Sequence, residues 1–226
     1  MLKKLFKDKK VRYRNLVLLI IPFVIIIGVF AYTSFSSIMS ILGMATGSSS
    51  QVVNSIESMD YHLRGDATDL QEELFKDLAK VVEKNEEGEK DLEIAELVVK
   101  NFIADFYTWS NKNGSFDIGG MYYVYSPSKT NIYNQARDEF YKYVSYYINE
   151  YGKENLLEIE TIETEVKETN GTYTYGDKSY PSCFIKAEWT FVDKDGFDES
   201  DYLTKAYFTV IKNDAGRFEI VQTFGD

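Results

Sequence analysis

Residues 180–192 read YPSCFIKAEWTFV. Cys183, Ile185, Ala187, Trp189 and Phe191 alternate with Lys186, Glu188 and Thr190, so an extended chain turns an apolar row to one side and a polar row to the other. That period of two predicts a strand with one buried face. The same pattern, broken at intervals by turn residues, occupies the chain from Asn155 onward and predicts strands over about 157–168, 180–192, 202–212 and 218–224. Turns are expected at 170–171 and 176–177, at 193–201 and at 213–216. Connections this short join antiparallel neighbours.

Upstream of residue 155 the period is helical. Ala67, Leu70, Leu74, Leu78, Val81 and Val82 form one stripe, with Asp66 or Thr68 as the cap and the charged run 85–90 as the end. A second helix fits residues 91–110, with Ile94, Val98, Phe102 and Phe106 in line and Glu96 paired four residues before Lys100. A third fits residues 130–151 and stops at Gly152. Between the last two, residues 121–125 (MYYVY) read as a strand or an extended turn ahead of Pro127. Helices first and a four-stranded meander after them predict an α+β fold in which about three helices cover the apolar face of the sheet.

Further outward lies an apolar run. No charge occurs between Asn15 and Ile56, and residues 16–38 are almost wholly apolar, including Leu16, Ile20, Phe23, Ile27 and Phe30. A helix of that length reaches about 34 Å, enough for a hydrocarbon core of roughly 30 Å. Lys3, Lys4, Lys7, Lys9, Lys10, Arg12 and Arg14 crowd one flank, whereas the other has no Lys or Arg until Arg64. The expected topology is therefore a single membrane span with the N-terminus in the cytoplasm and the rest outside. A cleaved secretory signal is the competing reading, and the length of the run with no small-x-small pattern close behind it favours a permanent anchor. The expected organisation is a basic tail (1–15), a transmembrane helix (16–38), a juxtamembrane linker (39–65) rich in Gly and Ser, and an extracytoplasmic α+β domain (66–226).

Charge narrows the function. The 226 residues carry a net charge of −11, but beyond residue 15 there are 18 basic against 35 acidic residues, a net of −17. A field of that sign opposes nucleic acid, whose phosphates need clustered Lys and Arg. Catalytic signals are sparse. His62 is the only histidine, so neither a histidine-based triad nor a multi-histidine metal site is expected, and Cys183 is the only cysteine, which rules out an internal disulfide.

Residues 193–201 (DKDGFDESD) are rich in oxygen ligands, yet the glycine comes too early for a calcium loop and Thr204 stands where the closing glutamate belongs. An acidic hairpin loop is the plainer reading. Asp105 and Asp117 lie near the aromatic segment as possible acid–base carboxylates, with nothing in the sequence to single them out. Catalytic, cofactor and metal residues are accordingly expected to be none. The tyrosines at 122–125 and 141–147 fit core and subunit contacts first and a pocket lining second.

The order of tail, span, linker, helices bearing residues 102–109 (FIADFYTW) and strands ending in residues 217–224 (RFEIVQTF) resembles a membrane-anchored nuclear-transport-factor-2-like domain. The resemblance implies a curved sheet wrapped around helices as a cone. It also places the chain beside TcpC-like conjugation proteins and their type IV secretion relatives, which serve as assembly factors in a transenvelope channel. The expectation is a non-enzymatic interaction module at the bacterial cytoplasmic membrane that self-associates or docks onto protein partners. The alternative is a small-ligand-binding or isomerase-like cone.

Overall fold

A computed structural model of the chain describes residues 54–194 and 196–225. In chain order the elements are β1 (Ser55–Ile56), β2 (Tyr61–His62), α1 (Asp69–Glu83), α2 (Asp91–Phe106), α3 (Lys129–Asp138), α4 (Val144–Tyr151), β3 (Ile159–Tyr175), β4 (Lys178–Phe191), β5 (Lys205–Lys212) and β6 (Phe218–Gly225). The described chain is α+β, with four α-helices and one four-stranded antiparallel sheet in the order β3-β4-β5-β6. Among the described residues no helix is long and apolar enough to cross a membrane. The expected anchor positions Leu16, Ile20, Phe23, Ile27 and Phe30, and the basic residues from Lys3 to Arg14, lie outside the described residues.

Helix α1 begins where its cap chemistry dictates. The Thr68 hydroxyl accepts from the Gln71 backbone N–H, and the Gln71 side chain accepts from the Thr68 N–H, which satisfies two orphan donors at once. Helix α2 is the central one: Ile94, Ala95, Val98, Val99, Phe102, Ile103 and Ala104 are buried, and the helix lies across all four strands of the sheet.

The expected third helix is two. Helix α3 stops after Asp138 because Phe140 and Tyr141 turn inward, with Tyr141 wholly buried. The Tyr141 hydroxyl donates to the Phe106 carbonyl at 2.5 Å, supplying a partner to a group left open at the end of α2. Burying two aromatic rings outweighs a few continued helical hydrogen bonds.

The sheet departs from expectation at one point. Asn170-Gly171 is not a turn; β3 runs through it to Tyr175, with register shifts flanking Glu168 and Gly171 opposite Ser182. A side chain there would meet the Ser182 hydroxyl at 2.7 Å, so the glycine serves close strand approach rather than reversal. The reversal comes at Gly176-Asp177, between the paired residues Tyr175 and Lys178.

The packed unit also starts earlier than residue 66. Tyr61 is fully buried, donates to the Phe218 carbonyl at 2.5 Å and lies 5.1 Å from the Tyr123 ring. Residues 55–65, which composition assigns to a linker, are therefore part of the fold.

Candidate functional site: a groove beside an open sheet edge

The carboxylates of the aromatic region are consumed by ion pairs. Arg64 holds Asp66 through Nε at 2.6 Å, Asp117 through Nη2 at 3.0 Å and the Asn111 carbonyl at 2.8 Å. Lys112, its side chain wholly buried, donates to Asp105 at 2.8 Å and to Asn111 Oδ1 at 2.9 Å. The second oxygen of Asp105 accepts from the Gly120 N–H at 2.6 Å. Burial alone would raise the Asp105 carboxyl; the Lys112 ammonium, the Gly120 N–H and Arg64 more than offset this and hold it below the usual carboxylate range. Burial likewise keeps Lys112 below the usual amine range despite Asp105. With Lys153 3.8 Å from Asp66, three cations face three carboxylates. Such an arrangement ties loops together and gives each of the three carboxylates a cationic partner.

The other sequence candidates are equally settled. His62 sits 3.3 Å from Asp60 with its ring 5.0 Å from Tyr122, on the surface hairpin. Cys183 faces the core, where burial pushes its thiol up to about 11, far from a reactive thiolate. The acidic loop is held by Lys194, which donates to Glu158 at 2.5 Å and to the Glu154 carbonyl at 2.7 Å, and by buried Phe197, whose ring lies 5.2 Å from Tyr147. Sequence reading gave that loop only its acidity and missed its aromatic anchor.

The tyrosine stretches divide between core and surface. Tyr123, Tyr125 and Tyr141 are buried, whereas Tyr122, Tyr143 and Tyr146 are exposed. Between the helices and the sheet the space is filled by rings: Phe106 stacks on Phe102 at 5.1 Å and on Phe140 at 5.2 Å, and Tyr107 lies 4.7 Å from Trp189. A groove of about 340 Å³ stays open beside that stack. Its floor is Phe102, Phe106 and Phe140; Ile132 and Gln135 of α3, with Glu139 just past its end, form one wall and residues 221–223 of β6 the other.

That second wall belongs to an edge strand. Ile220 donates its N–H to the Tyr123 carbonyl at 2.8 Å and accepts from the Tyr125 N–H at 2.9 Å, so residues 123–125 cover the first half of β6, as the extended reading of 121–125 allowed. Beyond Ile220 no strand pairs with the outer side of β6 among the described residues. Residues 221–225 (VQTFG) carry no charge. The opposite edge, β3, carries exposed Glu160, Glu163, Glu165, Lys167 and Glu168. Charged side chains are the usual protection against strand addition, and the open stretch of β6, residues 221–225, has none.

No protein family, no curated protein and no solved structure matches this chain. The site therefore rests on its own geometry: backbone donors and acceptors left open along the uncharged stretch 221–225, beside an apolar trough able to take side chains from whatever pairs with it. The edge was partly visible in the sequence, since the last strand of a meander is an edge by topology and the lack of charge over residues 221–225 can be read directly. The groove was not, because it depends on the break between α3 and α4.

Proposed function

We propose that the chain is a non-enzymatic docking module, tethered to the bacterial cytoplasmic membrane by residues 16–38 with its folded domain outside, that captures an extended segment by strand addition at β6. One observation carries this reading: among the described residues the open stretch of the β6 edge, residues 221–225, has no charged side chain and adjoins the apolar groove beneath α3. Main-chain hydrogen bonds along an exposed edge supply affinity, and alternate side chains entering a groove supply specificity. The order of two helices, a helical pair and a meander supports the nuclear-transport-factor-2-like cone, and with it a part in assembling a conjugation or secretion apparatus.

The test is a photo-reactive residue at Gln222 in the full-length chain, activated in the producing cells. Crosslinked species are expected from Gln222, and they should disappear when Phe224→Lys charges the edge, while labelling at exposed Tyr143 stays as it was. Labelling at Gln222 that yields only free chain, or that ignores the edge charge, overturns the reading.

A second reading is favoured by the groove's polar rim. Glu139 and Tyr107 both line it, and about 340 Å³ lies at the small end of ligand pockets. A small apolar ligand with one polar group would raise the melting temperature of the wild type and not of a Phe106→Ala or Ala136→Trp variant.

A further inference from the structure

Helix α4 and the residue before it present four tyrosines, Tyr143, Tyr146, Tyr147 and Tyr151. Tyr143, Tyr146 and Tyr151 are 52%, 59% and 39% exposed, and of the helix itself only Val144 is buried. Spacing by four sets 143, 147 and 151 in a row along the helix, with ring centres 6.3 and 6.1 Å apart. Tyr147 and Tyr151 have a structural use, because Phe197 of the acidic loop packs on both, at 5.2 and 5.5 Å. Tyr143 and Tyr146 have none of that kind: among the described residues Tyr147 is their only aromatic neighbour. A contiguous row of exposed rings, unlike a lone one, marks an interaction surface.

Carboxylates border the row. Glu150 lies one helical turn beyond Tyr146, and Asp198 and Asp201 approach from the loop. Burial, the neighbouring Tyr147 and the carboxylates of Asp201 and Asp198 together hold the Tyr202 hydroxyl above the usual phenol range, which places the acids of the loop beside these rings. Neither Glu150 nor Asp201 has an ion-pair partner among the described residues. One end of the row already holds a cation, with Lys142 Nζ 5.0 Å from the centre of the Tyr143 ring.

We infer that this face of α4 is a second docking surface, separate from the β6 edge, and that it takes an extended segment of a partner protein bearing Lys or Arg at alternate positions. It does not rest on strand addition at β6. Ammonium and guanidinium groups are drawn to aromatic faces, and unpaired carboxylates add longer-range attraction. Alternate side chains of an extended chain stand about 6.4–6.8 Å apart, close to the ring spacing, so successive cations meet successive rings. Charge speaks against the other occupants. A second copy would bring the same carboxylates against themselves, and nucleic acid or an anionic bilayer would be repelled by the net of −17 carried past residue 15.

The experiment uses the full-length chain in mild detergent and a short labelled peptide in which lysine alternates with threonine. Fluorescence anisotropy is expected to show saturable binding that Tyr143→Ala and Tyr146→Ala each weaken about two- to fivefold, the range for one exposed cation–π contact. Tyr146→Phe should bind as the wild type does, since the ring and not the hydroxyl receives the cation. Glu150→Gln combined with Asp201→Asn should slow association and flatten its salt dependence. All four positions are exposed, so unchanged melting temperatures show that the losses come from binding and not from folding. Equal binding by the wild type and both alanine variants, or equal binding of a peptide with its lysines gathered in one block, overturns the inference, because charge alone would then account for the binding. A wild type of twice the single-chain mass that Tyr146→Ala reduces to one would give the face to a second copy. A neutral oligosaccharide that displaces the peptide with the same dependence on Tyr146 would give it to a sugar. Either result overturns the inference too.

Discussion

The Lys112 ammonium lies 2.8 Å from Asp105 Oδ1 with no solvent contact of its own, at the junction of α2 with the loop that leads toward α3. Removing one member of such a pair strands the other. Asp105→Asn is expected to cost about 3 kcal/mol, and pairing it with Lys112→Met should restore part of the loss, since two apolar or neutral groups leave no uncompensated charge. Urea unfolding of the four proteins, read as a double-mutant cycle, measures the coupling; strict additivity would show that the pair holds nothing together.

The same pair sets an acid response. The folded-state Asp105 carboxyl is held below its unfolded value, so the stability it contributes is present above the unfolded value near pH 4 and is lost as pH falls through the folded one. The stability gap between wild type and Asp105→Asn should therefore be full at pH 7 and should shrink steadily below about pH 4. Thermal melts at several pH values report it, and a gap that stays constant into acid would contradict the assignment.

Tyr141→Phe tests the break between α3 and α4. The hydroxyl donates to the Phe106 carbonyl and accepts from the Gly119 N–H at 3.2 Å, so its removal leaves two backbone groups short of partners. A loss of about 2 kcal/mol is expected with little change in helix content by circular dichroism. A neutral result would mean that packing of the ring alone places it.

Gly119 and Gly65 should behave as opposites. A Cβ on Gly119 would fall 2.0 Å from the Asp105 carbonyl oxygen, whereas one on Gly65 would meet nothing within 4 Å. Gly119→Ala is expected to lower the melting temperature sharply and Gly65→Ala to leave it nearly unchanged. Equal melts for the two variants would remove the close approach as a structural requirement.

Much of this architecture could be read from residue order alone, and the misses share a cause. Cys183, Ile185, Ala187, Trp189 and Phe191 are all buried on one face, as their alternation requires, and α1 starts at one of its two candidate caps. Local pattern goes astray where a distant contact outbids it. Asn170-Gly171 is a strong turn signal, yet pairing with residues 181–182 keeps it in a strand. Residues 130–151 keep a helical period, yet the core beneath Phe106 draws Tyr141 out of line. The site was legible only in its chemistry: the lack of charge over residues 221–225 is a fact of sequence, while the trough beside them is a consequence of packing.

The hydrogen bond from Tyr61 to the Phe218 carbonyl joins residues 157 positions apart. During synthesis, Tyr61 emerges first and waits for the final strand, an interval of about 10–30 s at ordinary translation rates. Until then the Tyr61 hydroxyl lacks the Phe218 carbonyl, and its ring has only earlier residues such as Tyr123 to pack on. A chain cut short before Phe218 would lack both this bond and the strand that carries it, and would be an unlatched intermediate for proteases to clear instead of a smaller working version.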